Sequence, residues 1–108
     1  MREILYLQAI NEALAEEMRR DETVFIIGES VQGSTFNTTV GLVQEFGAER
    51  VMDAPIAENG IAGAAVGAAM AGYRPVADLM FGDFMYCCAD EVLLKAAQWH
   101  MMHAEKVN

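Results

Sequence analysis

The four residues Val24-Phe25-Ile26-Ile27, closed by Gly28, constrain this chain more than any other feature. A run that short and apolar at every position suits a strand buried on both faces, with neither side turned to water. Such a strand needs helices above and below it, and the surrounding sequence supplies them. Upstream, Ile4, Leu7, Ile10, Ala13, Leu14 and Met18 recur at helical spacing with Glu12, Glu16 and Glu17 on other faces, which predicts a first helix over residues 4–18. Downstream, Gly33, Ser34, Thr35 and Asn37 make residues 30–37 a loop. Thr39 is placed to cap a second helix through Phe46, with Gly47 as its stop and Val51-Met52 as a minimal strand. Pro55 precedes a Gly- and Ala-rich helix over residues 58–71, ended by Gly72. A third strand over residues 74–80 follows, and residues 83–103 read as a long, partly amphipathic last helix.

Four helices alternating with three strands predict an α/β three-layer domain in which right-handed crossovers build a mostly parallel sheet. The chain has 108 residues, 54% of them hydrophobic and 21% charged, which fits one ordered domain over residues 1–108. Sheets of this kind bind ligands at the carboxyl ends of their strands, so Gly28-Glu29 and residues 53–58 and 81–84 form the candidate site.

Charge excludes several partners. Seven basic and sixteen acidic residues give a formal charge of −9, the wrong sign for nucleic acid or an anionic membrane. It also opposes a bound diphosphate, which would need help from a metal, a helix terminus or a partner chain. The apolar stretch around residues 58–71 is broken by Arg74 and Asp78 and falls short of the roughly 20 residues that a membrane span needs. The amphipathic opening carries no leader pattern, and Cys87 and Cys88, being neighbours, suit neither a disulfide staple nor a zinc site, so a reducing, cytoplasmic setting is expected. Both cysteines are expected as buried small hydrophobes within a helix. His100 and His103, three apart with no third ligand, suit a solvated helix end, and no metal site is expected.

Within the candidate site, Glu58 is a lone carboxylate opening an apolar, glycine-rich helix with no basic residue near it in sequence. Its spacing alone leaves two readings: a functional acid, or a first-turn acid that complements the helix macrodipole, the more frequent case. Gly63, Gly67 and Ala71 fall four apart on one face, which favours close approach of another backbone. These glycines lie inside the helix rather than in a turn before it, so they are no dinucleotide fingerprint.

Residues 55–58 (Pro-Ile-Ala-Glu) and the run from Gly60-Ile61-Ala62-Gly63 through Gly72-Tyr73-Arg74-Pro75-Val76 closely resemble the beta subunits of the decarboxylating components of 2-oxoacid dehydrogenases. The similarity extends through residues 24–29, 46–51 and 80–84, and so covers nearly the whole chain. The resemblance implies a transketolase-like pyrimidine-binding fold that holds the aminopyrimidine of thiamine diphosphate. It implies Glu58 as the catalytic and cofactor-binding residue that bonds a ring nitrogen, Phe84 as the cofactor-binding aromatic residue stacked near that ring, and Glu29 as a cofactor-binding acid close to Glu58.

The same resemblance implies an alpha subunit that holds magnesium and the diphosphate, a second beta subunit packed on the glycine-rich helix, and a lipoyl-bearing acyltransferase that accepts the acyl group. The activity implied is oxidative decarboxylation of a pyruvate-like 2-oxoacid, or cleavage of acetoin. Where the family usually has a Gly-Gly pair, residues 103–106 read His-Ala-Glu-Lys, and the family's carboxyl-terminal domain, catalytic histidine region and potassium site would lie beyond Asn108. A fragment is therefore expected, inactive by itself. The alternative is a truncated, noncatalytic α/β module that self-associates or pairs with a partner; gene sequence beyond Asn108 separates the two.

Overall fold

The computed structural model describes residues 2–103 and residue 106; Ala104 and Glu105 of the variant stretch lie outside the described residues. Helix α1 spans Tyr6–Arg20, strand β1 Val24–Gly28, helix α2 Leu42–Phe46, strand β2 Val51–Asp53, helix α3 Glu58–Met70 and strand β3 Arg74–Asp78. A 3₁₀ segment, Gly82–Cys88, a π-helical segment, Glu91–Ala96, and helix α4, Ala97–Met102, complete it.

The three strands form an all-parallel sheet in the order β2-β1-β3, with the apolar run of residues 24–27 at its centre. Moving from β1 to β2 and back past β1 to β3 reverses direction, so right-handed crossovers put α2 and α3 on opposite faces. One face carries the main core: Met18 of α1 and Leu42 of α2 close over Val24, Ile26 and Val51. Met18, Ile26, Leu42 and Val51 are fully buried, each contributing roughly 1.5–3 kcal/mol relative to exposure. Ile61, Ala62 and Ala65 of α3 are buried outside that cluster and cover the other face. The domain is thus the expected three-layer α/β fold. Burial along β1 alternates, however, with Phe25 and Ile27 only half-buried, because α3 presents alanine and glycine to that side.

Helix α1 runs two residues later than expected, and two further boundaries differ. Thr39 does not cap α2, which starts three residues later behind Gly41 at φ 78°. Its hydroxyl instead donates to the Val31 carbonyl at 2.6 Å, a buried bond that folds residues 31–39 back on themselves. Asn11 Nδ2 donates to the Thr38 and Val40 carbonyls, and the Gln32 amide donates to Asp53 Oδ1 at 2.8 Å, so this loop is tied both to α1 and to the end of β2. Strand β3 stops at Asp78, two residues early, because Met80 turns left-handed at φ 67°.

The long last helix is in fact three pieces. In the 3₁₀ turn, residues three apart lie in line, which brings the Phe81 and Phe84 rings edge to face at 5.5 Å. The π-helical segment places Glu91, 8% exposed, beneath Gly63 and in an ion pair with Lys95. A Cβ at Gly63 would stand 3.3 Å from Glu91 Oε2, so here the glycine admits a side chain rather than a second backbone. Helix α3 ends as its sequence predicts, in a Schellman motif: Tyr73 N–H donates to Ala68 O and Gly72 N–H, at φ 96°, to Ala69 O.

Candidate cofactor site

The parallel register aligns Gly28 with both Asp53 and Asp78, so three strand ends meet at one place. The Ala54 amide donates to the Gly28 carbonyl at 2.8 Å, which starts the passage from β2 to α3 beside the end of β1. Gly28 has no room for a side chain, since a Cβ there would lie 2.7 Å from the Asp78 carbonyl oxygen.

From this junction the chain delivers the expected residues. Glu58 stands in the first turn of α3, half-buried, after Ala57, whose side chain supplies no cap. Among the described residues no hydrogen bond or ion pair holds its carboxylate. Phe84 is half-buried on the 3₁₀ segment, which packs against α3. The two residues share a neighbour in Cys88. Its thiol lies 3.9 Å from the Phe84 carbonyl and 3.5 Å from that of Met85. Burial first, then the negative charge of neighbours including Glu58, pushes the Cys88 thiol up from its ordinary range.

Glu29 is half-buried at the end of β1, where the Ser30 hydroxyl donates to its carboxylate. No hydrogen bond joins it to Glu58 among the described residues. Of the two cysteines, Cys88 is buried as expected but Cys87 is exposed, because neighbours on a tight helical turn point in different directions. No group of three or more His, Cys, Asp or Glu residues suited to a metal occurs among the described residues.

Sequence reasoning missed two neighbours of this site. Asp78 accepts a hydrogen bond from the Met80 amide at 2.8 Å, and Phe36, from the loop, meets the Phe81 ring edge to face at 5.2 Å. Nothing in the sequence marks Met80 for a left-handed turn, so neither role had a local signature. A 380 Å³ cleft beside α1 is lined by Leu14, Thr39, Asp78, Met80, Phe81 and Met85; Glu58 and Phe84 do not line it.

Comparison with known proteins gives the family. The chain belongs to the family of transketolase pyrimidine-binding domains, which it matches over residues 2–105. Its relatives include the 2-oxoisovalerate dehydrogenase subunit beta of Bacillus subtilis (strain 168), 48% identical over 95 residues that make up 86% of this chain and 29% of that protein. The acetoin:2,6-dichlorophenolindophenol oxidoreductase subunit beta of the same strain is 45% identical over 112 residues, 91% of this chain and 33% of that protein. A pyruvate dehydrogenase E1 component subunit beta from Staphylococcus epidermidis is 48% identical over 94 residues, 85% of this chain and 29% of that protein. The chain spans about a third of the length of the curated relatives it matches. No helix among the described residues is long and apolar enough to cross a membrane.

Proposed function

We propose that this chain carries the pyrimidine-binding half of a thiamine diphosphate site in the beta subunit of a 2-oxoacid dehydrogenase decarboxylating component. One observation carries the reading: Glu58 is half-buried at the head of α3, the helix that packs against the segment bearing Phe84, yet its carboxylate is bonded to nothing among the described residues. A polar group partly withdrawn from water is costly unless something meets it. An aminopyrimidine suits the pair, with a ring nitrogen for the carboxyl oxygen and a flat face for the aromatic side chain.

The diphosphate half does not fit this chain. Residues 28–32, 53–58 and 78–84 contain Glu29, Asp53, Glu58, Asp78 and Asp83 but no Lys, Arg or His. Arg19, Arg20, Arg50 and Arg74 gather at the other end of the sheet, where α1 ends and the strands begin. This division supports an alpha subunit that supplies magnesium and the diphosphate contacts. A second beta subunit would meet α3 at Gly67, where among the described residues no atom beyond the neighbouring helix backbone lies within 4 Å of a built Cβ.

When bound, thiamine diphosphate supplies the electron sink for loss of carbon dioxide from a 2-oxoacid. Glu58 holds a proton between its carboxyl oxygen and the pyrimidine nitrogen, and so sets where the ring's remaining protons sit. Phe84 fixes the ring plane and keeps water from it. Glu29, steadied by Ser30, is a second polar contact. A lipoyl-bearing acyltransferase of a cytoplasmic complex would accept the acyl group, its lipoyl disulfide being reduced as the aldehyde-level fragment is oxidised to the thioester. The substrate class is a small 2-oxoacid or acetoin, the range spanned by the names of the relatives.

Glu58→Gln in the full-length subunit, assembled with its alpha partner, tests the assignment. Folding and cofactor binding should persist, while exchange of the cofactor's thiazolium proton for deuterium slows by about 10²-fold or more. An acid serving only the helix dipole would cost roughly 0.3–1 kcal/mol of stability and leave exchange intact. Wild-type exchange in a variant shown to hold the cofactor overturns the role.

A further inference from the structure

We propose that Asp78 and Phe36 are positioning residues for Phe84, Asp78 by locking the turn that launches the 3₁₀ segment and Phe36 by bracing Phe81 from the side. This rests on the reading of Phe84 as the ring-facing aromatic. The backbone of Asp78 is fixed: it pairs with Gly28 in the parallel register, and its carbonyl oxygen and Cβ would stand 2.7 and 2.8 Å from a Cβ built there. From that mount its Oδ1 accepts the Met80 amide at 2.8 Å. Met80 sits at φ 67°, a conformation a methionine adopts only when its surroundings hold it.

The turn decides where Phe81 starts. Phe81 flanks the 3₁₀ segment, its ring 5.5 Å from that of Phe84 at an interplanar angle of 85°. On its other side, Phe36 meets Phe81 at 5.2 Å and 77°. Phe36 belongs to the loop that Thr39 and Asn11 tie down, and that loop has three more left-handed residues, Ser30, Ser34 and Asn37. Three rings therefore stand edge to face in series, anchored at one end by the loop and aimed in the middle by the strand end. Only the last belongs to the pyrimidine reading; Phe36 and Phe81 enter here as its supports.

The test reads ring positions in the 108-residue chain by nuclear Overhauser contacts among the rings of Phe36, Phe81 and Phe84, without ligand. Asp78→Asn keeps the acceptor oxygen and should keep the contacts. Asp78→Ala should lose the Phe81–Phe84 contact, and adding Met80→Gly should restore it, because glycine takes the left-handed turn without the bond. A purely structural role for Asp78 would not be repaired at Met80. Wild-type contacts in Asp78→Ala, or no recovery in the double variant, overturn the proposal. Should Asp78→Ala fail to fold, Phe36→Leu decides: shifted Phe84 ring resonances support it, and unshifted ones overturn it. Thiamine binding by the same variants should weaken severalfold wherever the ring contacts are lost. If Phe84→Ala binds thiamine as well as wild type while the ring contacts respond as stated, the positioning stands and the pyrimidine reading falls.

Discussion

Alanine at Gly28 would set a methyl group 2.7 Å from the Asp78 carbonyl oxygen, 2.8 Å from Asp78 Cβ and 2.9 Å from Val31 Cγ1. Carbon rests about 3.3 Å or more from a carbonyl oxygen and about 3.5 Å or more from another carbon, so each contact is short by roughly 0.6 Å. Two of the three opposing atoms belong to β3 at a position fixed by five register pairs. The third belongs to Val31, 2% exposed and itself without room to swing. Overpacking of this kind costs about 1–3 kcal/mol, and the rigid partner puts Gly28→Ala near the top of that range. Alanine returns roughly 0.5–1 kcal/mol as the better strand residue, which leaves a net loss of about 2 kcal/mol. In a chain of this size that lowers Tm by about 10 °C. Urea unfolding followed by circular dichroism should show a lower midpoint at an unchanged slope. Stability equal to or above wild type would show that β3 does not lie in this register beside β1, and the junction on which the site is built would go with it.

Other positions follow from the same geometry. Arg50 donates to the carbonyls of Met18, Asp21 and Val24 at 2.7–3.0 Å and lies over the Phe46 ring, so Arg50→Ala should cost about 3 kcal/mol in urea unfolding and Arg50→Lys should recover less than half. The Thr23 hydroxyl, then the Thr23 amide, hold the Asp21 carboxyl below the usual carboxylate range. A depressed folded value gives stability that is present above the unfolded pKa and fades as pH falls through the folded one, so the Tm deficit of Asp21→Ala should shrink below about pH 4. A deficit unchanged between about pH 7 and pH 3 would contradict it. Gly67→Leu should raise the stability of the single chain by up to about 1 kcal/mol yet lower its self-association, and an unchanged oligomer in size-exclusion chromatography would mean that this face of α3 meets only solvent.

The sheet was legible because its signals are short-range. An unbroken apolar run at residues 24–27 and a Gly stop at residue 72 each have one simple structural solution, and both elements formed where expected. The last helix was not, since apolar periods near three, three and a half and four and a half residues cannot be told apart over six or seven positions. Glu91, paired locally with Lys95, fills the space at Gly63, and that packing is a tertiary fact. Thr39 had the right chemistry for a cap and spent it on the Val31 carbonyl, because burial of the loop demanded a donor there. At the site, Glu58 was visible as a residue but ambiguous as a role; an acid in a first turn looks the same whether it serves the helix dipole or a ligand. Only resemblance to a family separated these readings, and the unbonded carboxylate now supports the second.

The central claim, that this chain holds a pyrimidine and not a diphosphate, is tested most directly by titrating the purified chain with thiamine and with thiamine diphosphate plus magnesium, following amide and ring resonances. Both ligands should bind in the millimolar range, near −4 kcal/mol, with affinities alike and the largest shifts at Glu58 and Phe84, and Glu58→Ala should abolish them. Micromolar binding of the diphosphate form, near −8 kcal/mol, or shifts that leave Glu58 untouched, would contradict the account.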